Sequence, residues 1–169
     1  MASAMNRVVP PSITTGSLWD QVLEALRRVT VQIFGPAGNH GAGVVWSGNG
    51  LIITNAHVVN GISIVRLYDG RTCRAEIVRK GRDADLAVLR IPVVGIECAK
   101  LRESRTLRTG EVVVAVGHPM GEAGAVSLGI VHTASSGTLI EADIRLAPGN
   151  SGGPLAAAAG VSFAPTASL

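Results

Sequence analysis

The sequence predicts an all-β fold of two antiparallel β-barrels, each of the six-stranded type, preceded by one short helix. From residue 31 onward, runs rich in Val and Ile alternate with a period of two, which is typical of strands. Six such runs precede residue 92 with no long helix between them, and this favours a barrel over a βαβ arrangement. The chain contains 21 glycines among 169 residues, which suits short strands joined by tight turns.

The N-terminal region is predicted to be a flexible arm followed by a helix. Residues 1–16 contain Pro10-Pro11 and little periodic apolar content. Ser17 is expected to begin a helix over residues 17–29, because Asp20 completes a Ser-x-x-Asp capping pattern. Four apolar residues lie on one face of this helix: Leu18, Val22, Leu26 and Val29.

The first barrel is predicted over residues 30–105. Its expected strands cover residues 31–34, 43–46, 51–54, 62–68, 74–78 and 86–91. Asp69-Gly70 is a hairpin turn signal between the fourth and fifth strands. Residues 92–110 are interpreted as the connection between the two halves, with a short strand near Cys98.

The second barrel is predicted over residues 106–169 and is expected to be incomplete. Its strands are expected at 111–116, 125–132 and 138–142. Residues 156–169 can supply at most two more strands, at about five to six residues each. The run Ala156–Ala159 is a poor strand former, so the tail looks truncated or altered.

Three windows carry residues suited to nucleophilic catalysis. His57 ends an apolar run, Asp85 opens the next one, and Ser151 lies in a glycine-rich turn, Gly149-Asn150-Ser151-Gly152-Gly153. A serine hydroxyl is a poor nucleophile and needs a base, which an imidazole provides near neutral pH. The order His, Asp, Ser is that of the chymotrypsin arrangement. Asp83 is the competitor of Asp85 for the acid, but it lies two residues further from the apolar run.

These windows resemble trypsin-like serine proteases, most closely the HtrA/Deg branch, with its "TNAHVV", "DLAVL" and "GNSGGPL" segments. The likeness runs from about Val31 to Leu155. It implies a chymotrypsin-like fold and a serine endopeptidase that cleaves exposed or unfolded polypeptide in protein quality control. It also implies a homo-oligomer, a trimer in the family, and a periplasmic or extracytoplasmic location with the leader or anchor absent from this chain. A cytoplasmic location stays open, and no PDZ domain follows.

The resemblance also assigns binding residues around the serine. Backbone N–H groups of Gly149 and Ser151 would form the oxyanion hole. Arg145 occupies the position at the base of the primary specificity pocket, and Leu146 matches an aliphatic residue that narrows it. An inward Arg145 would instead favour an acidic side chain. Asn150 completes the expected substrate-binding residues.

Composition argues against several other functions. The net charge is +3 with a pI near 9.4, but the basic residues are scattered, so no nucleic-acid partner is expected. No apolar stretch reaches eighteen residues, and no membrane span is expected. The histidines lack paired ligand spacing, so neither a metal nor another cofactor is expected. Cys73 and Cys98 are interpreted as buried thiols rather than a disulfide.

Two alternatives to a protease stay open at this point. One is a protease-shaped binding or assembly module, intact in its motifs but inactive because the second barrel is incomplete. The other is a serine esterase, which would keep the triad and need a hydrophobic acyl pocket. Labelling by a fluorophosphonate probe without proteolysis would favour either alternative.

Overall fold

The first half of the chain forms a closed barrel. The structure is a computed structural model that describes residues 18–35, 38, 40–103, 106–133, 140–157 and 160–162. Helix α1 (Leu18–Val29) comes first. The barrel strands are β1 (Thr30–Phe34), β2 (His40–Ser47), β3 (Leu51–Asn55), β4 (Ser63–Arg66), β5 (Thr72–Gly81) and β6 (Leu86–Arg90). They close antiparallel in the order β1-β2-β3-β6-β5-β4, which confirms the six predicted strands.

Alternation along these strands fills the barrel with aliphatic side chains. Val31 and Ile33 on β1 are fully buried, as are Ile52 on β3 and Leu89 on β6. The interior is narrow at Gly43, where an added Cβ would lie 2.9 Å from both the Ile33 and the Ile52 side chain. Each strand pairs on both sides, so this half of the molecule has no free sheet edge.

The second half forms an open sheet. Its strands are β7 (Leu101–Arg102), β8 (Val112–Gly117), β9 (Ala125–Thr133), β10 (Glu141–Ile144), β11 (Leu155–Ala157) and β12 (Gly160–Ser162). Their order is β10-β9-β8-β11-β12-β7, and within the described ranges no pairing joins the two end strands. All neighbours are antiparallel except β12 and β7, which are parallel. The expectation of an incomplete second barrel is confirmed.

The first part of the alanine run forms a strand despite its poor strand propensity, and β11 and β12 stay within the limit of two strands expected for the tail. Ala156 and Ala157 lie in β11, which pairs with β8 in the register Leu155↔Ala115 and Ala157↔Val113. Ladder hydrogen bonds and burial between β8 and β12 outweigh the weak strand preference of alanine. Residues 158 and 159 lie outside the described residues.

Helix α1 packs against the second sheet, although it precedes the first barrel in the chain. Leu26 is buried against Val114, Val116 and Ala156, on the face of the sheet that points away from the second core. The helix ends where Thr30 Oγ1 donates a hydrogen bond of 2.6 Å to the Leu26 carbonyl. The predicted helix is thus confirmed, although its packing partner was not foreseen. The predicted cap Ser17 and the arm 1–16 lie outside the described residues.

Two smaller expectations concern the connection between the halves. β7 lies before residue 105, the predicted boundary between the two barrels, and yet it pairs with β12 of the second sheet. The division into two domains stays a prediction. Both cysteines are free, but Cys98 is exposed and Cys73 half-buried, so the expectation of two buried thiols is wrong for Cys98. Among the described helical residues, none belongs to a helix long and apolar enough to cross a membrane.

Candidate active site

The pairing of β3 with β6 brings His57 and Asp85 together. The ladder ends at Asn55↔Leu86, so the residues that follow β3 face those that precede β6. His57 lies in a single 3-10 turn, Ala56–Val58, directly after β3. Its Nδ1 is 2.7 Å from Asp85 Oδ2, and its backbone N–H donates to Asp85 Oδ1 at 2.9 Å.

This geometry sets the tautomer of the imidazole. An ionised carboxylate only accepts hydrogen bonds, so the proton of the neutral ring lies on Nδ1 of His57. The Nε2 lone pair is then available to accept a proton from another group. Both side chains are partly exposed, 45% for His57 and 33% for Asp85. The contact comes from Asp85, whereas Asp83 is exposed on the preceding turn.

Asp85 adopts a backbone conformation that sequence reasoning did not foresee. Its φ of 46° lies in the left-handed region, which is uncommon for a residue with a side chain. Its carbonyl accepts hydrogen bonds from the Ala56 N–H and from Asn55 Nδ2, both at 3.0 Å. The available signal was Asn55 itself, a polar residue at the end of β3 after the apolar run Leu51–Ile53.

The Ser151 loop packs against the same end of the first barrel. The Ser151 carbonyl accepts a hydrogen bond of 2.8 Å from the Ala42 N–H. Gly152 lies so close to Thr54 Oγ1 and the Ala42 carbonyl that an added Cβ would overlap both atoms. The residue after Ser151 therefore contacts a residue three positions before His57.

Gly41 gives a second measure of this proximity. A Cβ on Gly41 would lie 2.5 Å from Val58 Cγ1 and 3.2 Å from the Ser151 carbonyl oxygen. Val58 follows His57 directly, so the neighbours of His57 and the backbone of Ser151 flank the same residue. The structure thus brings all three windows identified in the sequence to one junction between the barrel and the open sheet.

Gly149 lies in the tight turn before Ser151. Its φ is 105°, and an added Cβ would overlap the carbonyl of His118. The His118 N–H donates a hydrogen bond of 3.1 Å to the Gly149 carbonyl, and the Asn150 N–H bonds to the Ala147 carbonyl at 3.0 Å. Because both the conformation and the space require glycine, this position tolerates no side chain.

His118 supports that turn from behind. It is buried, and burial lowers its pKa to about 4, against a smaller opposite effect of the Val31 backbone. Its Nδ1 accepts a hydrogen bond of 3.1 Å from the Gly124 N–H, so the neutral ring is the form that fits. His118 is therefore a structural residue at neutral pH.

The predicted substrate-binding residues are not gathered into one surface. Arg145 is exposed, while Leu146 packs against the core of the second sheet. Asn150 is only 4% exposed and lies against Gly117, where an added Cβ would come within 2.7 Å of its Oδ1. Burial argues against direct substrate contact by Asn150 in this conformation, and the three assignments stay predictions.

The described residues include no group of three or more His, Cys, Asp or Glu side chains that could hold a metal ion. The chemistry available at the junction is that of a hydroxyl, an imidazole and a carboxylate. Such a set performs acyl transfer when the hydroxyl, the imidazole and the carboxylate form a hydrogen-bonded triad.

The fold is chymotrypsin-like, and the comparison with known families agrees. Residues 41–163 match the trypsin-like peptidase domain, which is most of the chain. The chain belongs to the trypsin-like peptidase family, in its HtrA-type branch.

The assignment to the HtrA-type branch rests on individual relatives. The chain is 40% identical over 132 residues to the mitochondrial serine protease HTRA2 of Drosophila grimshawi and equally to that of Drosophila virilis. Among solved structures, the serine endoprotease from Yersinia pestis superposes with a TM-score of 0.78 at 30% identity, covering 90% of this chain. The HtrA-type protease AlgW with a tripeptide gives 0.76 at 32% identity, covering 86%.

The match covers only part of each relative. It takes in 69% of this chain but 31% of the length of either HTRA2 protein. The two solved structures are covered to 56% and 52% of their chains.

Proposed function

We propose that this chain acts as a serine endopeptidase that cleaves exposed or unfolded polypeptide through an acyl-enzyme intermediate. The observation that carries the proposal is the hydrogen bond of 2.7 Å between His57 Nδ1 and Asp85 Oδ2, at the junction where the Ser151 loop packs. The names of the relatives, serine proteases and a serine endoprotease, support the same reaction.

In the proposed reaction, His57 Nε2 accepts the Ser151 proton as the hydroxyl oxygen attacks the scissile carbonyl. Asp85 keeps the ring in the tautomer that leaves Nε2 free and stabilises the imidazolium. His57 then returns the proton to the leaving amine, and an acyl ester on Ser151 remains. Water, activated by the same histidine, hydrolyses that ester.

The negative charge of the tetrahedral intermediate needs donors at the serine loop. The backbone N–H groups of Gly149 and Ser151 are the proposed pair, because both belong to the tight turn that His118 supports. Removal of one such donor commonly lowers kcat by about 10² to 10³-fold. The support for Gly149 is its positive φ, which sets the direction of the adjoining peptide groups.

The wider setting is proposed from the family. Polypeptide is the expected substrate, with Arg145 and Leu146 as the proposed specificity residues. The proposal includes a homo-oligomer, with a trimer as the first candidate. It also includes a periplasmic or other extracytoplasmic location. The HTRA2 relatives are named as mitochondrial, which places those proteins outside the cytosol.

Turnover of fluorescein-labelled casein tests the proposal. The parent should release soluble peptides, and Ser151→Ala should remove nearly all of this activity, since triad members act as a unit. Ser127→Ala is the matched control, because Ser127 is a half-buried serine on β9 and lies outside the turn that contains Ser151. Casein left intact while a p-nitrophenyl ester is hydrolysed would indicate an esterase, and no turnover of either would indicate a binding module.

A further inference from the structure

The side chain of Asn55 donates a hydrogen bond to the backbone carbonyl of Asp85, the acid of the candidate site. We propose that Asn55 is a positioning residue that fixes the left-handed backbone of Asp85 and thereby the hydrogen bond from His57 to Asp85. The inference deepens the proposed function and rests on it for the role of the pair. It concerns a residue that touches neither substrate nor the reacting atoms.

The backbone of Asp85 needs external support. Aspartate enters the left-handed region more readily than most residues with a side chain, but φ of 46° still costs free energy, which contacts from the surroundings offset. The carbonyl of Asp85 receives two donors from consecutive residues, the Ala56 N–H and Asn55 Nδ2, each at 3.0 Å. Its carboxylate receives two more from His57. Four hydrogen bonds thus tie one residue to the segment 55–57.

The two polar atoms of the Asn55 side chain differ in whether they find a hydrogen-bond partner. Asn55 is fully buried, yet among the described residues its Oδ1 has no hydrogen-bond partner. Rotating the amide would bring Oδ1 against the Asp85 carbonyl, two acceptors facing each other, so Nδ2 must point to Asp85. Without the amide, that carbonyl would still accept from Ala56. A half-satisfied buried amide is costly, so the hydrogen bond from Nδ2 to the Asp85 carbonyl is the polar interaction that accounts for an asparagine at this position.

Loss of the Nδ2 donor should release Asp85 toward an ordinary φ. The carboxylate follows the backbone, so Oδ2 moves away from His57 Nδ1 and the tautomer is no longer held. Substrate contacts are untouched by this change. The expected signature is therefore a fall in kcat without a rise in KM, together with a change at the Nδ1 proton.

Two variants test the role of Asn55. Asn55→Ala removes the amide, and Asn55→Asp keeps its size while replacing the donor by an acceptor. Thr30→Val is the control, since it removes another buried side-chain hydrogen bond, from Thr30 Oγ1 to the Leu26 carbonyl. Proton NMR should show the low-field His57 Nδ1 signal in the parent and in Thr30→Val but not in either Asn55 variant. With casein as substrate, kcat should fall at least about 10-fold in both, with KM unchanged.

An unchanged low-field signal and a kcat within twofold of the parent in both Asn55 variants would overturn the proposal. If Asn55→Ala does not fold, Asn55→Asp carries the test. If neither folds while Thr30→Val does, the role of Asn55 is structural and the proposal is overturned as well. A parent that leaves casein intact would defeat the proposed protease function, whereas the NMR signal would still decide the role of Asn55.

Discussion

The closed barrel and the open sheet divide the candidate site between them. The barrel supplies His57 from the turn after β3 and Asp85 from the turn before β6, and the ladder between these two strands fixes their separation. The sheet supplies Ser151 from a turn held mainly by backbone hydrogen bonds and by close packing of glycines. The acid and base are therefore set by sheet register, and the nucleophile by the junction between the two halves.

The two regions also differ in how they cover their apolar surface. In the barrel, side chains such as Ile33 and Leu89 are fully enclosed. On the outer face of the second sheet, α1 covers Val114 and Val116, while Leu128 on the adjacent strand is 65% exposed. The first region is expected to be the more rigid of the two, because every strand in it is paired on both sides.

The largest expected effect tests the register of the barrel. Asp85→Asn should lower kcat/KM about 10⁴-fold, because an amide leaves the His57 ring in the wrong tautomer. Asp83→Asn is the matched control and should stay within twofold of the parent, since Asp83 is exposed. Casein turnover by both variants is the measurement. A strong loss in Asp83→Asn with normal rates in Asp85→Asn would reverse the assignment.

A second prediction tests the junction. Gly149→Ala should lower kcat about 10² to 10³-fold, because the new Cβ overlaps the His118 carbonyl and displaces the turn before Ser151. Gly70→Ala is its control, with a φ of 86° and nothing within 4 Å of the added Cβ. A kcat of Gly149→Ala equal to that of Gly70→Ala would contradict the prediction, because the overlap with the His118 carbonyl would then leave the turn before Ser151 undisturbed.

Sequence patterns predicted the barrel better than the site. Val and Ile alternation identified all six barrel strands, because alternation reports burial on one face. It did not locate β11, where pairing with β8 outweighs the low strand propensity of Ala156 and Ala157. Nor could it foresee that α1 would cover the second sheet, a contact between segments far apart in the chain.

At the site, motifs identified the reactive groups but not their supports. The windows around His57, Asp85 and Ser151 were identified from the sequence, and the structure brings those windows together while their catalytic roles stay predictions. The positive φ of Asp85 and the burial of Asn150 depend on tertiary packing, which no local pattern reports. The same holds for the contact of the His118 turn with Gly149.

A third prediction compares the two cores. Leu89→Ala should lower the free energy of unfolding by about 2 to 5 kcal/mol, because the closed barrel cannot collapse around the cavity. Leu107 is 4% exposed in the second core. Leu107→Ala should lower the free energy of unfolding by less than Leu89→Ala does, because an open sheet relaxes more easily around a cavity. Leu128→Ala should stay within about 0.5 kcal/mol of the parent. Urea titration measures all three, and a larger loss for Leu107→Ala than for Leu89→Ala would contradict the comparison.

The smallest expected effect is the pH dependence that His118 confers on the second region. Its pKa is about 4 in the folded chain and 6.5 when unfolded, so the unfolded state binds the proton first as the pH falls. Stability is unaffected above pH 6.5, declines between pH 6.5 and 4, and levels off below. The loss is at most about 3 kcal/mol. His118→Asn should flatten this decline in urea titrations, and an unchanged slope would contradict the burial argument.

The central claim is that His57 and Asp85 of the barrel and Ser151 of the open sheet form one hydrogen-bonded triad. Covalent labelling by a fluorophosphonate probe tests this claim most directly. The probe reacts with a serine only when a base activates it, independently of how a polypeptide substrate binds. Peptide mapping by mass spectrometry should place the label on Ser151 in the parent, and His57→Ala should abolish it while leaving the fold intact. Labelling of Ser151 no greater than that of the half-buried Ser127 on β9, or equal labelling in His57→Ala, would contradict the claim.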